Sequence, residues 1–207
     1  MVFAALAIAA PALAGPPLLC HPYQIGGAKS LPWVGEKSWF EGRPDYNVDH
    51  LVADTEALLT PSTPVIVRME TLRRAALYAS TDQRVATELL RRLVARAQAS
   101  ESAGHPDALA FLDAAYVAEA FHEITWLSNS NEWAGRIAVA RAALGNTDGH
   151  ALMAKSISAR PDDPAIQFAA ALIAADNNRA SYEEHAAKAR AGAARDPLLA
   201  RNIAHVQ

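Results

Sequence analysis

The sequence predicts an all-α fold of stacked antiparallel helical hairpins, a short solenoid, preceded by an extended N-terminal arm. Three observations carry that expectation. Apolar residues make up 51% of the 207-residue chain but aromatics only 7%, so alanine supplies much of the apolar share; it is the best helix former and lets helices approach closely. From about Asn47 onward, apolar residues recur at the three- and four-residue spacing of a helix face. The breaks between those stretches are short and built from Pro, Gly, Asn and Asp, and short connections make consecutive helices antiparallel neighbours.

Three segments follow: 1–14, 15–45 and 46–207. Val2 to Ala10 is an unbroken apolar run, followed by Pro11-Ala12-Leu13-Ala14-Gly15. A helix-breaking proline and small residues at Ala12 and Ala14 follow the order of a secretory signal peptide, although no Lys or Arg precedes the run. The mature chain is therefore expected in the periplasm or secreted space. An uncleaved anchor is the rival reading, but Pro11, Pro16 and Pro17 interrupt the roughly 20-residue helix that spanning needs. No transmembrane span is expected once the signal is removed. Cys20 is the only cysteine, which rules out an intramolecular disulfide. Leu19 is not the small residue a lipid anchor requires. Cys20-His21 is the tail of a haem-attachment motif whose first cysteine is replaced by Pro17. An unpaired thiol is the simpler reading, and no cofactor is expected.

Between Gly15 and Asp45, prolines and glycines recur, and Tyr23, Trp33, Trp39 and Phe40 are dense. No period persists, which describes an extended arm with turns. Its tryptophans either pack across the helical body or line an aromatic binding surface. Helical patterning then starts near Asn47 and ends at Thr60-Pro61-Ser62-Thr63-Pro64. Ser62 or Thr63 is placed to cap a helix running to about Ala79. Val65, Met69, Leu72, Ala76 and Ala79 form its apolar face, with Arg68, Arg73 and Arg74 largely off it. Further helices are expected over Arg84–Ala99, Pro106–Leu127, Glu132–Leu144, Thr147–Ala159, Pro164–Ala175, Arg179–Ala193 and Pro197–His205. The turn Ser128-Asn129-Ser130-Asn131 is rich in capping residues.

The junctions recur as well. Arg160-Pro161-Asp162-Asp163-Pro164 ends one helix and opens the next, and Ala194-Arg195-Asp196-Pro197 does so 33 residues later, with Asn131 one step earlier. Ala75 to Arg84 resembles Ala170 to Arg179 in joining two helices through a short polar turn and an arginine. This pattern resembles the tetratricopeptide repeat, a helix-turn-helix unit of about 34 residues with proline at its junction. The likeness is more specific over 131–197 than over 62–127. The Trp, Leu-Gly and Tyr positions of the family's first helix are poorly kept. The resemblance implies a groove lined by the first helix of each pair, holding an extended peptide or a partner segment.

Catalytic signatures are missing: there is no phosphate-cradling glycine loop, no Gly-x-Ser-x-Gly and no His-Glu-x-x-His. The seven histidines are scattered singly; His122-Glu123 lacks a second histidine on its face, and Tyr182-Glu183-Glu184-His185 reads as a solvated face. The charge of -3 gives no general drive toward nucleic acid. Arg68, Arg73, Arg74, Arg84, Arg91, Arg92 and Arg96 form either a basic stripe for an acidic partner or a solvated face balanced by Glu70 and Glu88. The expected function is a non-enzymatic protein- or peptide-binding module, with Trp33, Trp39, Arg68, Tyr116, Glu119 and Gln167 as candidate binding residues. The alternatives are a helical-domain enzyme acting on cell-envelope material and a one-cysteine haem protein.

Overall fold

A computed structural model describes residues 15–35, 39–127, 131, 133–175 and 177–207. The signal-peptide reading of 1–14 and most of the capping turn, Ser128-Asn129-Ser130, lie outside the described residues. Among the described residues there are nine α-helices and no strand. They are α1 Leu51–Leu58, α2 Val65–Ala79, α3 Gln83–Ser102, α4 Ala108–Trp126, α5 Ala134–Leu144, α6 Gly149–Ala159, α7 Pro164–Ala174, α8 Arg179–Gly192 and α9 Pro197–Asn202. A 3-10 turn at Val48–His50 leads into α1, and one at Ile203–Val206 closes the chain. Trp33 and Gly42 form an isolated antiparallel bridge in the arm.

Helix starts are set by short acidic or amide side chains. Asp82, Asp107, Asp148, Asp163, Asn178 and Asp196 each accept a hydrogen bond from a backbone N–H in the first turn of α3, α4, α6, α7, α8 and α9. Each such cap stabilises its helix by about 1 kcal/mol. At Asp163-Pro164 and Asp196-Pro197 the proline stands in the first turn, where its missing N–H leaves no bond unmade. The recurring Asp-Pro junction is thus a local capping device. At α2, neither Ser62 nor Thr63 caps the helix: Pro64 is the N-cap residue and makes no side-chain capping bond.

The body is organised around α4, which packs against α2, α3, α5, α6 and α7. Every residue from Ala108 to Phe121 is buried, so no single apolar stripe describes this helix. α7 and α8 form the most extensively packed pair. They close at Gly192, where an added Cβ would stand 2.2 Å from the Cβ of Pro164. α5 and α6, though consecutive, lie mainly against α4. A hub helix replaces, in this half, the row of hairpins in which each unit touches only its neighbours.

The arm lies across α2, α4, α7 and the C-terminal turn, burying Leu18, Leu19, Tyr23 and Leu31. Each of these leucines contributes about 1.5–3 kcal/mol by leaving water. The arm also corrects the reading of α2. Arg68 and Arg73 are not off the buried surface but 2% and 0% exposed: Leu19 and Trp39 of the arm cover Arg73, whereas Arg68 is buried against Asp113 of α4. The seven arginines of residues 68–96 do not form a free basic stripe. Each is paired with a carboxylate: Arg68 and Arg96 with Asp113, Arg73 and Arg74 with Glu70, Arg84 with Asp49, Arg91 with Glu88, and Arg92 with Glu56.

Candidate functional site

Two places gather polar side chains from several helices. The first is a clamp on the main chain of the arm. Glu123 accepts the Leu18 N–H with both carboxylate oxygens at 3.0 and 3.1 Å, and Tyr116 donates its hydroxyl to the Leu18 carbonyl at 2.8 Å. Arg73 donates to the carbonyls of Leu19 and Trp39 at 3.2 and 2.7 Å. Glu70 accepts the Tyr23 N–H at 3.0 Å. Asn202 embraces Gln24, accepting its N–H at 2.8 Å and donating to its carbonyl at 3.0 Å. Further along, Arg74 donates to Leu31 O and Tyr78 to Pro32 O, each within 2.7 Å. Helices α2, α4 and α9 thus grip an extended segment chiefly through its peptide groups.

Electrostatics hold the clamp in one charge state. Burial by itself pushes Glu70 up, but the hydrogen bonds and charge of Arg73, with Arg74 behind it, outweigh burial and keep this carboxyl below the usual range. Burial pushes the Cys20 thiol up to about 11, Glu123 adding to the effect and Arg73 opposing it, so Cys20 is protonated at neutral pH and a poor nucleophile. The same two influences, burial first, raise Tyr23, whose ring stacks on His205 at 5.4 Å.

Four of the sequence-derived candidates belong to this contact or to the core behind it. Trp33 lies under the guanidinium of Arg73 at 5.1 Å and edge-on to Tyr78 at 5.4 Å. Trp39 stacks on Trp133 at 5.5 Å with the planes 9° apart. Both tryptophans are only partly buried and pack on the body. Tyr116 is wholly buried in the clamp. Arg68 is buried beside it in sequence but elsewhere in space, donating to Asp113 at 2.6 Å and to the Thr63 carbonyl at 3.1 Å.

The second place is a groove between α6, α7 and α8, of about 370 Å³. Met153, Ile157, Ala170 and Ile173 form its apolar floor, and His150, Asn177, Ser181 and His185 stand among its polar lining. The two remaining candidates act here from behind. Gln167 donates its amide to the Pro161 carbonyl at 2.6 Å, which leaves its oxygen to receive Nδ1–H of His185, also at 2.6 Å. The lone pair of the neutral His185 ring then sits on Nε2. Burial lowers the His185 pKa, opposed by Glu184, so the neutral form is favoured.

Behind His150 and outside the groove's lining, Glu119 Oε2 lies 3.3 Å from Nδ1 of His122 and 3.7 Å from Nε2 of His150, while the Asn177 amide reaches that same His150 nitrogen at 2.8 Å. Gly149 makes the approach of Glu119 possible: a Cβ there would stand 2.3 Å from Oε1. Trp126, half exposed, sets its ring 4.5 Å from that of His122.

Sequence reading missed His150, Asn177 and Ser181 and read His185 as a solvated face. These residues come from α6, the α7–α8 turn and α8, and no local period links them. Among the described residues, no group of three His, Cys, Asp or Glu side chains is placed to hold a metal ion, and no helix is long and apolar enough to cross a membrane. Comparison with protein families, with curated proteins and with solved structures finds no match.

Proposed function

We propose that the chain is a non-enzymatic protein- or peptide-binding helical module of the cell envelope or secreted space, and that the cleft now filled by its own arm is the peptide-binding surface. One observation carries the reading. Buried side chains of α2, α4 and α9 spend their hydrogen bonds on the peptide groups of Leu18, Leu19, Tyr23 and Gln24. A cleft that reads main chain and buries a pair of leucines accepts any extended segment of similar apolar pattern. A tethered arm competes with such a segment at high effective concentration, so a partner gains access by taking the arm's place. The export part of the reading rests on the apolar run before Ala12 and Ala14. The tetratricopeptide-like part rests on the α7–α8 pair and the two Asp-Pro caps.

The test uses a fluorescein-labelled synthetic peptide of residues 15–32 and fluorescence anisotropy. Leu18→Ser with Leu19→Ser loosens the arm and is expected to bind the peptide at least tenfold more tightly than the unaltered chain. A variant with native circular dichroism that ignores the peptide overturns the proposal. Hydrogen exchange on the unaltered chain covers the case of a variant that fails to fold. The amides of Leu18, Tyr23 and Gln24 are expected to open at lower free energy than those of α4; opening only on global unfolding rules out exchange for a partner.

A further inference from the structure

We propose that the exposed turn between Gln24 and Ser30 is a processing site, where an endoprotease specific for lysine cuts the Lys29–Ser30 bond and so opens the arm cleft; this rests on the reading of that cleft as a peptide-binding surface. The arm is anchored on both sides of the turn and not within it. On one side Tyr23 gives its N–H to Glu70, and Gln24 is held by Asn202. On the other, the Ser30 hydroxyl meets that of Thr71 at 3.0 Å, and Arg74 donates to the Leu31 carbonyl at 2.6 Å. Gly26 to Lys29 are exposed. Their one backbone hydrogen bond stays inside the turn, from the Ala28 N–H to the Ile25 carbonyl at 3.1 Å. Gly26 and Gly27 both have positive φ, 61° and 83°, and a Cβ on Gly27 would meet nothing within 4 Å. Exposed turns of small residues, unbonded to the body, are where proteases enter a folded chain.

Lys29 differs from the other lysines in its surroundings. Lys155 and Lys188 lie in α6 and α8 and pair with Glu101 and Glu184, so a protease must unravel a helix to reach them; Lys37 lies outside the described residues. Lys29 is exposed, stands outside any helix and makes no ion pair among the described residues. The position of the cut decides its effect. Hydrolysis adds water across the bond, leaving a carboxylate on Lys29 and an ammonium on Ser30, both at the exposed turn. Before the cut lie buried Leu18, Leu19 and Tyr23, with the peptide groups that Glu123, Tyr116, Arg73 and Glu70 grip. After it, Leu31, Trp33 and Trp39 stay joined to the body and keep their seats. The occupant of the cleft is thus severed from its tether while the rest of the arm remains. A short tether holds its segment at a millimolar effective concentration, so at about 1 μM protein a severed segment is roughly 1,000-fold less favoured and yields the cleft to another peptide.

The test is limited digestion of the purified chain with a lysine-specific endoprotease, read by intact mass. The first cut is expected after Lys29, with the far-UV circular dichroism of the helices unchanged, and Lys29→Gln is expected to slow loss of the intact chain at least tenfold. The nicked chain, diluted to about 1 μM, is then offered a fluorescein-labelled peptide of residues 15–29 and is expected to bind it at least a hundredfold more tightly than the uncut chain does. A first cut at another bond, or a digestion rate indifferent to Lys29→Gln, overturns the processing site. Loss of the helical dichroism on nicking overturns it too, since the arm is then part of the fold and not an exchangeable occupant. The two readings fail separately. If Leu18→Ser with Leu19→Ser binds the peptide but the first cut lies elsewhere, the processing site alone is lost. If the nicked chain and that variant both keep native dichroism and ignore the peptide, the cleft itself is lost, and the processing site with it.

Discussion

Replacing Glu70 with Gln tests whether the arm is held by charge as well as by its leucines. Glu70 is 0% exposed and accepts four hydrogen bonds: Nε and Nη2 of Arg73 at 2.8 and 2.9 Å, Nε of Arg74 at 2.7 Å, and the Tyr23 N–H at 3.0 Å. Glutamine keeps the shape but turns an NH₂ toward guanidinium donors. It also leaves Arg73, itself 0% exposed, without a counter-ion. Removing one partner of a buried pair costs about 3–5 kcal/mol, because the remaining charge stays desolvated. In a chain of this size each kcal/mol lowers Tm by about 2–4 °C, so a loss on the order of 10 °C is expected. Urea unfolding followed by far-UV circular dichroism and by tryptophan fluorescence reads two parts of the molecule. Of the four tryptophans, Trp33, Trp39 and Trp133 report on the arm's seat, whereas dichroism reports the helices. In the variant the fluorescence transition is expected to precede the dichroic one, since Arg73 also holds Leu19 O and Trp39 O. A variant within 1 kcal/mol of the unaltered chain, with coincident transitions, would falsify the electrostatic account of the clamp.

Three further expectations follow from packing and titration. Burial, then His21, holds His205 below the ordinary imidazole range, with Glu70 opposing. A depressed folded pKa means that the unfolded chain binds the extra proton, so stability falls as pH drops below about 6.5, by at most about 1.4 kcal/mol per pH unit. His205→Phe keeps a ring against Tyr23 and is expected to shallow that slope between pH 7 and 5.5; a slope unchanged in urea titrations counts against this. Gly192→Ala drives a Cβ to within 2.2 Å of a rigid proline ring and is expected to cost about 1–3 kcal/mol despite the better helix propensity of alanine. Gly135→Ala, with nothing within 4 Å, serves as the control, expected to be neutral or stabilising by up to about 1 kcal/mol; equal effects at both positions refute the packing argument. Arg68→Met is expected to cost about 3–5 kcal/mol by stripping a partner from buried Asp113, and adding Asp113→Leu is expected to recover most of it. Asp113 is already raised to about 6 by burial, against the pull of Arg68 and Arg96. Losing Arg68 raises it further, so the cost of the single change shrinks as pH falls below 7; additive single and double effects in chemical denaturation end the argument.

What was legible in the sequence is what short-range chemistry decides. The Asp-Pro pairs at 163–164 and 196–197 mark helix starts because an aspartate that accepts from the two N–H groups following a first-turn proline is a complete local device. For the same reason α6, α7 and α8 end within two residues of their expected limits. The arm's irregular backbone was equally plain from its prolines and glycines. The two errors have a common origin. Arginines at 68 and 73 read as surface because nothing nearby in sequence covers them, yet the cover comes from Leu19, Trp39 and Asp113, far along the chain. The groove was invisible for the converse reason. His150, Asn177 and His185 meet only because α6, α7 and α8 are brought together, and each alone is an ordinary exposed-type residue.

α4 shows how a helix without a stripe still specifies its surroundings. It is buried on nearly every side, so apolar patterning cannot tell one neighbour from another. Its polar residues can. Asp113 meets Arg68 and Arg96, Tyr116 and Glu123 meet the arm, and Glu119 meets His122 and His150. An unpartnered group of this kind costs about 1–3 kcal/mol or more in a dry interior. Any alternative packing of these alanine-rich helices must therefore satisfy four separate demands at once, and helices that interchange freely on apolar grounds no longer do so. The polar residues of α4 thus fix which element lies where.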